Sequence, residues 1–374
     1  MAKTIVSIVS KQTVPNYLLI KELFREEDGD KLLFITTKES EKYLPYITDS
    51  LSITDDGYSG ITLDNGTEEQ WDIMCRTIES ALVQGVEYHV NLTGGTKYIA
   101  MAVRSVFEKH PNSKFYYIPN PKNYYLLFDN KIDINYRISV NEFLNLHGIN
   151  NNFYSSITQS KEYSDDFLQL FVHEFNSNDF HVIDLLRSYR NTKRNDIHTI
   201  ECRSDFKTKY PQIPNLTSFL THVAFPNKEP GFLTDKEVQF ITGGWFEEYV
   251  YYLINDLIKP DDIQIGVKLG TANNDLDVIF TKGNKLFVVE CKTGIQKDSK
   301  DSEKMLREIV YKASAIRDHL KGISADSYIF ALSPNNDKWK KIATHMGVTY
   351  CGRETLLNTE SRDCLINSML EKAC

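Results

Sequence analysis

Two short apolar runs, Leu276–Phe280 and Leu286–Glu290, flank the tetrapeptide Lys282-Gly283-Asn284-Lys285. Both are rich in Val, Ile and Phe, which pack well on a pleated, buried surface, so each reads as a strand. Gly-Asn between them suits a two-residue hairpin loop, whose central residues need positive φ. No other feature of the chain constrains the fold so tightly, because such a loop sets the register. Paired residues then have numbers that sum to 567, as 283 and 284 do. Asp277 faces Glu290 in that register, and Asp275 faces Lys292. Side chains two apart on a strand share a face, so three carboxylates and one ammonium are expected on one side of the hairpin.

Carboxylate oxygens are hard ligands suited to Mg²⁺ or Mn²⁺, ions that keep several waters when bound. Such an ion polarises a phosphate and lowers the pKa of a bound water. Lys292 is placed to orient that water or to offset charge on the phosphate. A surface hairpin with solvated charges accounts for Asp275, but less well for Glu290 and Lys292, which follow the apolar run Leu-Phe-Val-Val. A structural ion pair between the strands is the other bland reading.

Asp277 followed by Glu290-x-Lys292 resembles the PD-(D/E)xK nuclease signature, in which two acids bind metal and the lysine assists the water. Leu276 stands where the proline of the family name would be. Upstream, Gly243-Gly244-Trp245-Phe246-Glu247-Glu248 resembles the helix start that precedes the core hairpin in that superfamily. Glu247 matches the additional metal-site acid better than Glu248 does. Ordinary acids at a helix N-terminus, favoured by the macrodipole, explain both equally well. Lys312, early in the following helix, suits either a phosphate contact or solvent.

At 374 residues the chain exceeds one ordinary core, and two domains are expected. The net charge of −8 argues against broad electrostatic coating of duplex DNA, so any nucleic-acid contact should be local or metal-assisted. A local basic excess comprises Arg187, Arg190, Lys193, Arg194, Arg203, Lys207 and Lys209, for which a solvated helical face is the default explanation. Cys75, Cys202, Cys291, Cys351, Cys364 and Cys374 form no CxxC pair and no Cys-His metal spacing. Cys291 should point to the buried face opposite Glu290 and Lys292. No signal peptide is recognised, and no apolar run approaches the ~20 residues of a spanning helix. The chain therefore reads as soluble and cytoplasmic, with no membrane partner.

The first third alternates strands (Thr4–Val9, Leu32–Thr36, Tyr88–Leu92, Lys114–Ile118) with helices (Asn16–Arg25, a capping-box start at Thr67-Glu68-Glu69-Gln70, Thr96–Lys109), an order that predicts a doubly wound α/β sheet. Tyr124–Phe128 and Ile132–Ile138 read as a closing hairpin. The expected division is residues 1–140 for the first domain, 141–155 for a polar connector and 156–374 for a second α/β domain whose core spans about 237–374. Residues 153–236 carry no recognisable pattern.

Ligands of open α/β sheets bind beyond the carboxyl ends of the strands. Three such ends are polar: Ser10-Lys11-Gln12-Thr13, Thr36-Thr37-Lys38 and Asn91-Leu92-Thr93-Gly94-Gly95-Thr96-Lys97. In the third, two glycines permit a tight turn that frees amide N–H groups for an anion at the helix start, with Thr93, Thr96 and Lys97 beside them. Neither GxxxxGK[ST] nor GxGxxG is present. A Gly-Gly turn with a Thr cap fits the same spacing, and spacing alone does not separate the two.

Asn91–Lys97 resembles the signature of CARF domains, the cyclic-oligoadenylate sensors of type III CRISPR systems. Together with the hairpin motif, it makes the chain similar to CARF–nuclease accessory effectors. The resemblance implies a Rossmann-like CARF domain joined to a restriction-endonuclease-like domain. It further implies a homodimer enclosing one cyclic tetra-adenylate, and a metal-dependent nuclease acting on single-stranded DNA or RNA, or nicking duplex DNA, in antiviral defence. The ligand would lie against Ser10, Gln12, Thr37, Lys38, Asn91, Thr93, Gly94, Gly95, Thr96 and Lys97; Glu247, Asp277 and Glu290 would hold Mn²⁺ or Mg²⁺. Met101, one turn into the helix, suits an adenine contact or core packing. Two other readings are a non-catalytic nucleic-acid-binding regulator and an unregulated repair or restriction nuclease.

Overall fold

In the computed structural model, the residues described are 2–373 apart from 55, 65, 120–121, 154–155, 176–206, 210–215, 227–231, 270–274, 294–306, 308–309 and 312–324. Of the basic stretch, Arg187, Arg190, Lys193, Arg194 and Arg203 lie outside the described residues, as does Lys312.

Seven strands form the N-terminal sheet: β1 (Lys3–Ile8), β2 (Lys31–Thr37), β3 (Tyr58–Leu63), β4 (Glu87–Asn91), β5 (Ser113–Tyr117), β6 (Tyr124–Leu127) and β7 (Asn130–Asp133). Their order is 3-2-1-4-5-6-7, parallel through β5 and antiparallel thereafter. The crossovers are α1 (Val14–Leu23), α2 (Leu44–Leu51), α3 (Trp71–Ser80) and α4 (Lys97–Phe107). β1 is buried on both faces from Ile5 to Ile8, as a central parallel strand should be. Val6 and Ile8 pack with α3 and α4, while Ile5 packs with Ile20 of α1 and Ile47 of α2. The strand order reverses between β1 and β4, and the loops after those strands therefore meet.

The capping box expected at Thr67 does not form. Gly66 sits at φ +85° and leads into a single 3₁₀ turn, and helix α3 begins only at Trp71. Among the described residues, capping boxes form at Ser139–Glu142, the start of α5 (Val140–Asn145), and at Thr234–Glu237.

The second domain is built on a six-stranded sheet, in which β8 (Asn151–Phe153), β11 (Asp262–Leu269), β12 (Asp275–Lys282), β13 (Lys285–Lys292), β14 (Ala325–Ala331) and β15 (Val348–Cys351) run in the order 15-14-13-12-11-8. A separate antiparallel pair joins β9 (Lys207–Lys209) to β10 (Phe232–Thr234). The helices whose bounds are described are α6 (Lys161–Phe175), α7 (Leu216–His222), α8 (Asp235–Gln239), α9 (Trp245–Leu257), α10 (Asp337–His345), α11 (Arg353–Leu357) and α12 (Thr359–Ala373). α9 covers one sheet face, with Trp245 stacked on Phe167 of α6 at 4.4 Å.

The other face of this sheet is closed by the N-terminal domain. Val267, Ile279, Leu286 and Val288 share one buried cluster with Tyr17, Leu18 and Leu19 of α1 and with Val140, Phe143 and Leu144 of α5. Burying each such aliphatic side chain is worth about 1.5–3 kcal/mol. The two sheets are thus joined by a core, not by the polar surface typical of freely hinging domains. Among the described residues, no helix is long and apolar enough to cross a membrane.

Candidate functional site

The hairpin has the predicted register. The β12–β13 ladder pairs Lys282 with Lys285 at the turn and reaches Val278–Val289, while Gly283 and Asn284 adopt φ of +57° and +59°. Val278–Val289 is the last backbone pair, so the expected pairings of Asp277 with Glu290 and of Asp275 with Lys292 do not form. Asp275 is exposed and registers instead with Lys268 of β11. Beyond the ladder, a side chain replaces the backbone: Asp277 Oδ2 accepts the Cys291 N–H at 2.7 Å.

Glu290 and Lys292 share a face of β13, whereas Cys291 is buried with α9, as alternation requires. Lys292 Nζ donates to Glu290 Oε1 at 2.7 Å, to Asp277 Oδ2 at 3.2 Å and to the Cys291 carbonyl at 3.0 Å. Burial opposes its charge, but Asp277 and Glu290 outweigh that and hold the ammonium above the usual lysine range. Glu290 is only 3 % exposed, and this ammonium is a charged partner for its buried carboxylate.

The preceding helix does not start at Trp245. α8 runs through one π-helical turn, Phe240–Gly244, directly into α9, leaving Glu247 inside a continuous helix and not at a free N-terminus. The macrodipole explanation for this acid therefore weakens. Burial, then the nearby charges of Asp277 and Glu290, push the Glu247 carboxyl well above the usual carboxylate range. Glu248 points elsewhere: Oε1 accepts from Thr158 N and Oγ1, both at 2.7 Å, and Oε2 from Gln159 N at 3.0 Å. It holds the chain entering α6, which explains why one of two adjacent glutamates is structural.

Among the described residues, no three carboxylate, thiol or imidazole groups are close enough together to ligate one ion as they stand. Lys292 fills the space between Asp277 and Glu290. The donor chemistry still fits a hard divalent cation: three carboxyl groups crowd one ammonium, and the crowding disfavours ionisation of Glu247.

In the N-terminal domain, the loops after β1 and β4 are pressed together. A Cβ on Gly94 would stand 1.9 Å from the Ile8 carbonyl oxygen, and one on Gly95, at φ +74°, 2.6 Å from Ile8 Cγ2. Glycine is required at both positions for this approach. Asn91 is fully buried; its Oδ1 accepts from Thr93 N at 3.0 Å, and its Nδ2 donates to Asn16 Oδ1 at 2.9 Å. Asn16 in turn donates to the Ile8 carbonyl at 2.9 Å, and Thr93 Oγ1 accepts from Ile118 N at 2.8 Å. Asn91 and Thr93 thus shape the loop from within. Asn16, which sequence reasoning missed, belongs to the same network; a buried polar residue inside an apolar helix was its signal.

Thr96 caps α4 by accepting from Ile99 N at 3.2 Å. Gly95, Thr96, Lys97 and Gln12 are exposed, and Ser10 Oγ accepts from Gln12 N at 3.3 Å. At the end of β2, the Thr37 N–H donates to Ser40 Oγ at 2.8 Å, and exposed Lys38 pairs with Glu41 at 3.3 Å. Met101 is 61 % exposed, so core packing does not account for it, and Tyr98 beside it is 41 % exposed.

Residues 4–143 match the family described as Card1 CARF domain, and residues 234–365 match Card1-like, endonuclease domain. The chain carries a CARF domain followed by a Card1-like endonuclease domain. Its CARF domain contains both glycine-linked loops, and its endonuclease domain contains Glu247, Asp277, Glu290 and Lys292. No curated protein matches the chain. Among solved structures, it is similar to protein VC1899 from Vibrio cholerae (TM-score 0.74, 18 % identity, 99 % of this chain and 98 % of that one). It is also similar to Can2 from Sulfobacillus thermosulfidooxidans, solved in complex with cyclic tetra-adenylate (TM-score 0.72, 19 % identity, 100 % and 99 %). A third likeness is to a type III CRISPR defence DNA nuclease activated by cyclic oligoadenylate (TM-score 0.53, 16 % identity), where 94 % of this chain aligns with 48 % of that one.

Proposed function

We propose that the chain is a metal-dependent nuclease switched on by a cyclic oligoadenylate, cutting single-stranded DNA or RNA in type III CRISPR antiviral defence. The observation that carries this reading is the cluster of Asp277, Glu290 and Lys292 beyond the last ladder pair, with Glu247 beside it. Glu247, Asp277 and Glu290 would hold Mn²⁺ or Mg²⁺, which polarises the phosphate and supplies an activated water. Lys292 already donates three hydrogen bonds, and its role is to orient the attacking water and offset charge on the phosphate. With a net charge of −8, substrate affinity rests on local and metal-assisted contacts, not on a broad basic surface.

The activator binds where the β1 and β4 loops meet. The cradle comprises Ser10, Gln12, Thr37, Lys38, Gly94, Gly95, Thr96 and Lys97, with Asn91 and Thr93 shaping it. The cyclic tetra-adenylate bound to the similar protein Can2 supports that ring as the activator. A two-fold ligand suits an isologous homodimer, and exposed Tyr98 and Met101 next to the loop give that dimer an apolar contact. The sensor occupies residues 1–140, the connector 141–155 and the nuclease 156–374.

The test incubates purified protein and Mn²⁺ or Mg²⁺ with labelled single-stranded DNA, single-stranded RNA or supercoiled plasmid, with and without cyclic oligoadenylates of several sizes. Cleavage that rises with one ring supports the proposal. No cleavage of any substrate would leave a non-catalytic regulator, and equal cleavage with and without a ring would leave an unregulated nuclease.

A further inference from the structure

The turn of the β12–β13 hairpin is plugged into the CARF domain. Asn284 is 8 % exposed, and all three of its side-chain bonds go to that domain or the chain leaving it: Oδ1 accepts from Ile138 N at 2.9 Å, and Nδ2 donates to Asn123 Oδ1 at 3.1 Å and to the Tyr136 carbonyl at 3.0 Å. Gly283 packs so closely that a Cβ there would meet Asn123 Nδ2 at 2.8 Å and the Ala373 carbonyl oxygen at 2.1 Å. Asn123 Nδ2 also donates to that Ala373 carbonyl at 3.2 Å. A two-residue hairpin loop normally faces solvent; this one is a buried joint.

Tyr136 is itself held by α1, the helix that follows the Ser10–Thr13 loop. Glu22 Oε1 accepts from Asn135 N at 2.8 Å and Tyr136 N at 2.6 Å, and the Tyr17 and Tyr136 hydroxyls share Glu142 Oε1, both at 2.5 Å. Hydrogen bonds and rigid elements thus run from the candidate ligand loop through α1 and Tyr136 to Asn284, and along β12 and β13 to Asp277 and Glu290. Nothing in hairpin formation requires this Asn side chain, since glycine is the easier residue at φ +59°.

We infer that Asn284 is a positioning residue for the nuclease reaction, tying the strands that carry Asp277 and Glu290 to the state of the sensor. The inference rests on the switched-nuclease reading above. Asn284→Gly keeps the turn backbone and deletes all three bonds, and Asn123→Ala removes one partner from the CARF side with the turn untouched. Both variants are compared with wild type as full-length protein in three measurements. These are calorimetric binding of cyclic tetra-adenylate, the gain in cleavage rate when the ring is added, and hydrogen exchange of β12 and β13 amides without metal, with and without the ring.

The expected result is ring affinity close to wild type, a gain in cleavage rate smaller by roughly tenfold, and loss of the ring-dependent exchange change in β12 and β13. A variant that keeps the full rate gain, or the full exchange response of the hairpin, overturns the inference alone. A wild type that neither binds nor responds to any ring overturns the switched-nuclease reading and this inference together. Misfolding of Asn284→Gly leaves Asn123→Ala to decide by the same measurements.

Discussion

Asp277 Oδ2 accepts the Cys291 N–H at 2.7 Å, just where the backbone ladder between their strands has stopped. The same oxygen meets Lys292 Nζ at 3.2 Å. One carboxylate therefore both closes the frayed end of the hairpin and faces the candidate reaction centre. These duties separate by substitution. Asp277→Asn keeps an acceptor for the amide and should retain near-wild-type stability, whereas Asp277→Ala strands a part-buried N–H at a cost of about 1–3 kcal/mol. Both should lower cleavage by at least roughly a hundredfold. Urea denaturation alongside cleavage rates checks this, and equal stability of the two variants would contradict it.

The neighbouring glutamates should divide in the opposite way. Glu247→Gln removes a carboxyl crowded by Asp277 and Glu290, so stability should hold or rise while cleavage is lost. Glu248→Ala deletes the acceptor of three hydrogen bonds from Thr158 and Gln159 and should cost about 2–4 kcal/mol. Thermal melting points and cleavage rates of the pair decide it; a stability loss confined to the Glu247 variant would reverse the assignment.

Gly94→Ala places a methyl against the Ile8 carbonyl, and backbone cannot yield cheaply there. The β4–α4 loop should lift from β1, lowering ring affinity by at least about tenfold while Mn²⁺ binding at the hairpin stays unchanged. Calorimetric titrations of ring and metal test both halves. Unaltered ring affinity would move the activator site away from this loop.

His147 offers a pH prediction. It stacks on Phe143 at 5.0 Å at the end of α5, and burial brings its pKa down to about 4, although the 2.7 Å contact of Nδ1 with the Phe143 carbonyl works the other way. In the unfolded chain a histidine titrates near 6.5. The unfolded state therefore takes up the proton first as pH falls. The stability held by neutral His147 is complete above pH ~6.5, declines through the interval down to about 4 and is flat below it. The loss should be on the order of 3 kcal/mol. Urea midpoints across this range should fall less steeply for His147→Gln than for wild type; parallel curves would refute it.

The hairpin was legible because a two-residue loop leaves no freedom of register, and every pair from Lys282–Lys285 to Val278–Val289 obeys it. The end of the ladder was not legible, since it depends on a side chain, Asp277, taking over from the backbone. The Gly94-Gly95 loop could be located from its residues, but its purpose as a close approach to Ile8 needed the third dimension. β3 escaped the reading because Ser59 and Gly60 in an exposed edge strand carry little apolar pattern. The polar connector proved to hold α5, capped at Ser139, and β8 at the edge of the second sheet. Its short apolar positions are buried by the partner domain, which local periodicity does not reveal.

In the proposed switch, one chain couples a ring-sensing loop to the Asp277–Glu290–Lys292 cluster. That coupling is read from the single-turnover cleavage rate of labelled single-stranded DNA and RNA in Mn²⁺ as cyclic tetra-adenylate is titrated, for wild type and Glu290→Gln. Wild type should show a saturable rise of at least roughly tenfold, and the variant no cleavage at any ring concentration. A wild-type rate that ignores the ring, or undiminished cleavage by Glu290→Gln, would contradict it.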